Sequence, residues 1–81
     1  MKFVVEKHEN LEYVTIHTTE WLQSDNLRSY IMDIKGIVNA SYSDAYKLKL
    51  KVGRAFDIDE LIEKVQDEIV TYYANKQEDW T

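Results

Sequence analysis

The strongest constraint on the fold of this chain is a strict alternation of apolar and basic residues near its middle. Four apolar residues alternate there with three lysines: Tyr46, Lys47, Leu48, Lys49, Leu50, Lys51 and Val52. Neighbouring side chains of a β-strand point to opposite faces, so a period of two predicts a strand with one buried face and one lysine-bearing face. One exposed face is typical of an antiparallel sheet that is covered on one side only.

Shorter patterns predict three further strands. Residues 2–7 and 11–17 are rich in β-branched and aromatic side chains, and the polar residues 8–10 between them favour a hairpin. A third strand is expected before a turn at Ser43–Asp44. Its apolar residues alternate with polar ones and define one apolar face: Val38, Ala40 and Tyr42.

The first helix is predicted from Ser24 to about Ile34. Ser24 is a suitable N-cap, because its hydroxyl can accept a hydrogen bond from a backbone N–H of the first turn. Gly36 is expected to end the helix, since glycine readily adopts the left-handed conformation that follows a helix. Four apolar residues at helical spacing are predicted to share one face: Leu27, Tyr30, Ile31 and Ile34.

The second helix is predicted from Asp57 to about Asn75. Asp57 and Glu60 form a variant of the capping box, and Phe56 with Leu61 fits a hydrophobic staple. A stripe of apolar residues at helical spacing is predicted to be buried: Ile58, Leu61, Ile62, Val65, Ile69 and Tyr72.

The resulting order, β-β-α-β-β-α, predicts an α+β two-layer sandwich in which both helices cover one face of an antiparallel sheet. A chain of 81 residues has room for one domain. We place this domain at residues 1–75 and expect residues 76–81 to form a flexible acidic tail.

Composition disfavours several classes of protein. The chain has no cysteine, which excludes disulfides, thiolate metal sites and cysteine nucleophiles. No apolar run exceeds three residues, so we expect a cytoplasmic protein that does not bind membranes. A net charge of −5 and a pI near 4.9 disfavour direct binding to nucleic acid.

Residues 12–69 resemble the heavy-metal-associated domain, a ferredoxin-like module of metallochaperones and metal-pumping ATPases. Gly36-Ile37 is similar to the Gly-Val that follows the first helix of that family, and residues 55–62 resemble the segment that opens its second helix. Three apolar residues fall on the family's helix-core positions: Leu27, Ile31 and Ile34. The resemblance implies a ferredoxin-like sheet, with residues 2–7 at the edge where the last strand of the family lies.

The chain departs from this family in the metal-binding loop. Thr18 and Thr19 fall on the loop's methionine and threonine, whereas Glu20 and Gln23 fall on its two cysteines. Copper(I) transport needs soft thiolate ligands, which neither residue supplies. The resemblance therefore implies a fold, or at most a degenerate heavy-metal-associated-like domain that serves as a structural or accessory subunit without metal transport.

No catalytic constellation is evident, and we expect neither enzyme activity nor a cofactor. Hydrolysis would need a nucleophile, a base and an oxyanion site, and the serines are explained as cap, strand and turn residues. His8, His17 and Glu20 could together hold zinc, but nothing in their spacing enforces such a site. No metal site is predicted.

Charge is distributed unevenly along the chain. Residues 57–81 carry eight acidic and two basic side chains, whereas residues 1–56 carry seven acidic and eight basic ones. Three of the acidic residues lie opposite the buried stripe on a helical wheel. The candidate partner-binding residues are these three and their neighbours: Asp59, Glu60, Glu63, Asp67, Val70, Glu78 and Asp79.

An acidic helix face of this kind suits a basic partner. Because DNA also presents dense negative charge, we expect a protein-binding inhibitor that mimics DNA. It would block the DNA site of a nucleoid-associated protein such as HU, and small acidic phage proteins that take over host functions are similar in type. A homodimer is compatible with the same sequence.

The lysine-bearing sheet face is the other candidate surface. RNA-recognition motifs bind RNA on such a face through a pair of aromatic residues, which this chain lacks. We therefore favour the acidic helix. The residues predicted to lie together on the sheet face are Tyr13, Thr15, His17, Lys47, Lys49 and Lys51.

Overall fold

A four-stranded sheet and two helices form a two-layer α+β structure in the computed structural model. The structure describes residues 2–9 and 12–78, and their side chains as far as Asn75. The elements in chain order are β1 (Phe3–Lys7), β2 (Tyr13–Thr18), α1 (Asp25–Met32), β3 (Ile37–Asp44), β4 (Lys47–Val52) and α2 (Ile58–Glu78). The predicted α+β two-layer class and the predicted order β-β-α-β-β-α are thereby confirmed.

All neighbouring strands are antiparallel, in the order β1-β2-β4-β3. Because β2 and β3 both pair with β4, they run parallel to each other and are connected through α1. β1 pairs with the outer edge of β2, from Phe3 opposite Thr18 to Lys7 opposite Val14. This order is not the standard ferredoxin-like topology, since the edge strand comes from the start of the chain and not from a strand after α2.

One face of the sheet packs against both helices and forms the core. A buried Leu or Ile side chain contributes about 1.5–3 kcal/mol, so this single cluster supplies most of the favourable free energy of folding. The predicted stripe of α2 is confirmed, with Ile58 and Tyr72 only partly buried. The fully or nearly fully buried residues come from β2, the loop before α1, α1, β3, β4 and α2: Val14, Ile16, Leu22, Leu27, Ile31, Ala40, Leu48, Leu50, Val52, Leu61, Val65 and Ile69.

The predicted helix starts are confirmed by their hydrogen bonds. Ser24 Oγ accepts a bond from the Leu27 backbone N–H at 3.3 Å. Asp57 Oδ1 accepts bonds from the backbone N–H groups of Asp59 and Glu60 at 2.9 and 3.3 Å. Each cap satisfies backbone donors that have no partner within the helix.

The prediction that Gly36 ends α1 is wrong, because the C-cap of α1 is Asp33. Gly36 lies three residues farther on, in the left-handed conformation with a φ of 105°. A Cβ atom at this position would lie 2.9 Å from carbon atoms of both Leu61 and Phe56. Glycine is therefore required here for two reasons, the backbone conformation and the close approach of the residues that begin α2.

The prediction that Tyr30 shares the buried face of α1 is wrong. Its side chain is 51% exposed, and α1 ends at Met32, two residues before Ile34. In this short helix Leu27 and Ile31, one turn apart, already fill the contact with the sheet. Tyr30 lies instead at the rim, with its ring centroid 6.2 Å from that of Tyr72.

The turn between β3 and β4 lies two residues later than predicted. β3 continues through Asp44, and Ala45 and Tyr46 form the turn. Asp44 Oδ1 accepts a hydrogen bond from the Tyr46 backbone N–H at 2.8 Å, which is the short-range bond by which aspartate favours turns. Tyr46 therefore leaves the strand, and its side chain is 47% exposed.

Val38 also differs from its predicted position on the apolar face of β3. A register shift between Ile37 and Asn39 turns Ile37 inward, and the Val38 side chain is 53% exposed. Such a bulge changes which residues face the core, which a simple alternation cannot reveal.

α2 continues to Glu78, past the predicted end near Asn75. The remaining residues of the expected acidic tail, 79–81, lie outside the described part of the chain. No helix among the described residues is long and apolar enough to cross a lipid bilayer.

Candidate binding faces

α2 carries three exposed carboxylates on the side that faces away from the sheet, and we call these residues the acidic strip: Glu60, Glu63 and Asp67. They lie within an arc of about 60° on the helix, opposite the buried stripe. None of the ion pairs among the described residues engages them. Their charge is therefore presented to solvent.

The other predicted partner-binding residues differ in their surroundings. Asp59 is exposed, but its carboxylate pairs with the Lys7 ammonium and so connects α2 to β1. Val70 is 48% exposed on the same side of α2 as the acidic strip. Glu78 ends α2 with its side chain outside the described set, and Asp79 lies outside the described residues.

The uncovered side of the sheet is basic, as the alternation in β4 predicts. We call the row Lys47, Lys49 and Lys51 the lysine row. Cross-strand pairing places β2 beside this row on one side, and Asn39 and Ser41 of β3 on the other. The opposed pairs with β2 are Tyr13 with Lys51, Thr15 with Lys49 and His17 with Lys47.

The Tyr13 ring is covered by the lysine row. Lys49 Nζ lies 4.9 Å from the ring centroid and Lys51 Nζ lies 6.0 Å from it, within the range of cation–π interactions. The His8 ring approaches edge-on, with its centroid 6.5 Å from that of Tyr13. The aromatic group on this face therefore holds lysine ammonium groups and does not offer an open face for base stacking.

The histidines belong to separate polar pairs. His8 Nε2 lies 2.9 Å from Thr15 Oγ1, and His17 Nε2 lies 3.7 Å from Glu6. Within residues 2–9 and 12–78, no group of three or more side chains is placed to hold a metal ion. Nothing in this geometry supports zinc binding by His8, His17 and Glu20.

An exposed aromatic pair at one end of the sheet is not predicted by the sequence patterns. Trp21 and Tyr46 are 59% and 47% exposed, and their rings meet edge-to-face with centroids 5.9 Å apart. Trp21 Nε1 donates a hydrogen bond to the Gln23 carbonyl at 3.0 Å. The Ala45 carbonyl fixes this loop by accepting from Leu22 and Gln23 backbone N–H groups. A tryptophan within a polar segment is the sequence signal for this pair.

A tyrosine cluster lies between α1, β3 and α2. The Tyr42 hydroxyl donates to the Ser24 carbonyl at 2.8 Å, and the Tyr72 and Tyr73 rings meet with centroids 5.8 Å apart. Burial raises the pKa of Tyr42, and burial together with the nearby Glu20 carboxylate raises the pKa of Tyr73. Both phenols stay protonated at neutral pH, so they act in packing and hydrogen bonding.

Comparison with known proteins adds no relative to this description. No protein-family model matches the chain, and neither curated proteins nor solved structures give a match. The likeness to the heavy-metal-associated domain remains a prediction from the residues quoted above.

Proposed function

We propose that the protein is a non-enzymatic binding module, an inhibitor that engages a basic protein through the acidic strip of α2. The observation that carries this proposal is that Glu60, Glu63 and Asp67 are exposed together opposite the core, outside the ion pairs of the described residues. Their charge is available to a partner without any rearrangement of the fold.

The partner that we propose is a DNA-binding protein of the nucleoid-associated type, such as HU. The acidic strip covers about 10.5 Å along the helix axis, and duplex DNA carries one negative charge per about 1.7 Å. The strip alone is therefore less densely charged than DNA. Glu78, the last residue of α2, would extend the negative surface along a basic groove, whereas the carboxylate of Asp59 is already paired with Lys7.

A finer fold assignment belongs to the same proposal, namely a ferredoxin-like sandwich in which β1 takes the place of the usual last strand. Its support is the connection β2-α1-β3 around a central β4, together with β1 at the outer edge of β2. In this arrangement α2 covers the sheet with one side and presents the other to solvent.

The experiment compares three proteins as baits in a pull-down from bacterial lysate. These are the wild type, Glu63→Lys/Asp67→Lys on the acidic strip, and the control Glu9→Lys/Asp33→Lys at exposed positions elsewhere. Each double variant has a formal net charge of −1, because every reversal changes the −5 of the chain by two. Basic proteins should be captured by the wild type and the control, and lost with the strip variant.

A gel-shift competition then tests DNA mimicry directly. The wild type should displace DNA from the captured partner, or from purified HU, and the strip variant should not. Capture should weaken steeply above about 0.15 M salt, because charge pairs at a surface are screened. Salt-insensitive capture that the strip variant retains would refute the proposal and favour the degenerate heavy-metal-associated-like structural subunit.

A further inference from the structure

No element among the described residues covers the lysine-bearing face of the sheet, and its lysines carry the charge opposite to that of the acidic strip. Lys47 pairs with Asp44 at 3.8 Å, which leaves Lys49 and Lys51 outside the ion pairs of the described residues. The lysine row lies on the central strand β4, and only the helix-covered face of the sheet belongs to the core. The acidic strip lies on the far side of the helix layer. The two charged surfaces of one molecule therefore face away from each other and cannot meet within one chain.

We propose that the lysine row docks the acidic strip of a second copy of this chain, so that molecules associate head to tail. This contact is independent of the basic partner proposed above and uses only this protein. The same α2 surface would then be shared between a second copy and a basic partner.

Spacing supports this pairing as well as charge. Lys49 and Lys51 are two residues apart on a strand, which places their Cα atoms about 6.8 Å apart. Glu63 and Asp67 are four residues apart on a helix, which separates them by about 6 Å along its axis. The two rows can therefore lie side by side with each ammonium opposite a carboxylate.

Apolar groups accompany both rows. Val70 follows Asp67 on the exposed side of α2 and is 48% exposed. Tyr13 is opposite Lys51 in the sheet. An alignment of Asp67 with Lys51 leaves this valine at the end of the contact and Tyr13 beneath the lysine ammonium groups, so the contact is mainly ionic.

A single-stranded nucleic acid fits the same face less well. Binding of this class combines basic grooves with aromatic rings on which bases stack. Tyr13 is the aromatic residue of this face among the described strands, and Lys49 Nζ lies over its ring at 4.9 Å. The lysine row thus favours carboxylates, which pair with ammonium groups without requiring a stacking platform.

Head-to-tail contact has a consequence for assembly. The two copies use different surfaces, so the contact is heterologous, and each added molecule leaves one lysine row and one acidic strip open. Association should therefore continue beyond a dimer as protein concentration rises, unless the geometry closes a ring.

Sedimentation velocity with the purified full chain tests this proposal without any other protein. Wild type is compared at about 0.02 M and about 0.5 M salt with two charge-reversed variants, Lys49→Glu/Lys51→Glu and Glu63→Lys/Asp67→Lys. The wild type should associate at low salt and dissociate at high salt. Each variant alone should associate at least about tenfold more weakly than the wild type.

An equimolar mixture of the two variants is the decisive sample. The acidic sheet face of one variant then meets the basic helix face of the other, so the mixture should associate again. Each charge reversal changes the net charge of −5 by two, so the two variants have formal net charges of −9 and −1. Because both net charges are negative, overall attraction between the two proteins cannot explain association of the mixture. Circular dichroism should first show that both variants are folded.

A control variant, Lys2→Glu/Lys35→Glu, also has a net charge of −9 but leaves the lysine row and α2 intact, and it should associate like the wild type. Three outcomes would overturn the proposal. These are a wild type that is monomeric at low salt, a variant mixture that stays monomeric, or a control that dissociates.

A labelled single-stranded oligonucleotide tests the alternative ligand of this face. If a monomeric wild type binds it and Lys49→Glu/Lys51→Glu does not, the face is assigned to nucleic acid instead. None of these outcomes decides whether the protein captures a basic partner, which the pull-down measures separately.

Discussion

The hydroxyl of Tyr72 lies 2.9 Å from Oγ of Ser24, which joins α2 to the N-cap of α1 across 48 residues of sequence. Ser24 makes two further hydrogen bonds. Its Oγ accepts from the Leu27 backbone N–H, and its carbonyl accepts from the Tyr42 hydroxyl. One serine therefore connects both helices to β3.

Replacing Tyr72 with phenylalanine should remove one of these bonds while the ring stays in place. A hydrogen bond of this kind contributes about 0.5–1.5 kcal/mol, so the free energy of unfolding should fall by that amount in urea denaturation. The matched control is Tyr30→Phe at a half-exposed ring, which should cost less than about 0.5 kcal/mol. Equal losses in the two variants would contradict the role of the Tyr72 hydroxyl.

β1 should stabilise the fold through one side of the strand only. Val5 is partly buried against the core, whereas Val4 is 66% exposed on the uncovered face. Val5→Ala should lower the free energy of unfolding by about 1–1.5 kcal/mol, and Val4→Ala by less than about 0.5 kcal/mol. Thermal denaturation of both variants checks this difference, and a reversed order would mean that β1 faces the other way.

Gly36→Ala should be strongly destabilising. The new methyl group would lie 2.9 Å from Leu61 and Phe56, at a φ that L-residues rarely adopt. The expected loss is about 1–3 kcal/mol, seen as a lower Tm. Gly53→Ala is the control substitution. Its new Cβ atom would lie 3.1 Å from Cδ2 of Phe56, which is less close, so this substitution should cost less.

Stability should fall at alkaline pH because of two partly buried tyrosines. Burial raises the pKa of Tyr42 and Tyr73 above the ordinary 10.0, so near pH 10 the unfolded chain loses these protons before the folded one. The contribution of the two protonated tyrosines to the free energy of unfolding is complete below pH 10 and is lost as the pH rises through their pKa in the folded state. Denaturation between about pH 9 and pH 12 should show a shallower decline for Tyr73→Phe. An unchanged slope would contradict this origin.

Much of the fold could be predicted from local patterns. The alternation in β4 and the capping residues Ser24 and Asp57 act within a few residues of each other, and all three predictions are confirmed. Local patterns do not predict that Tyr30 and Val38 are exposed. Their exposure depends on how much of a short helix the sheet can cover, and on a bulge that shifts the inward residue by one.

The candidate binding faces likewise have some features that local patterns predict and others that they do not. Exposure of the acidic strip follows from the helical period once the buried stripe of α2 is known. The pairing of Lys7 with Asp59 joins residues 52 positions apart, and no local pattern predicts it. The contact between Trp21 and Tyr46 likewise arises only because the loop before α1 is bonded to the turn after β3.

The position of β1 has a consequence for how the chain reaches its native state. The pairs with β2 join residues as close as Lys7 and Val14, and no farther apart than Phe3 and Thr18. Closing such a short loop costs little entropy, whereas a terminal strand following α2 would have to find β2 across most of the chain. During synthesis both strands of this hairpin leave the ribosome before either helix. The slow step of folding should therefore be the pairing of β4 with β2, whose partners are distant in sequence, and not the closure of the sheet edge.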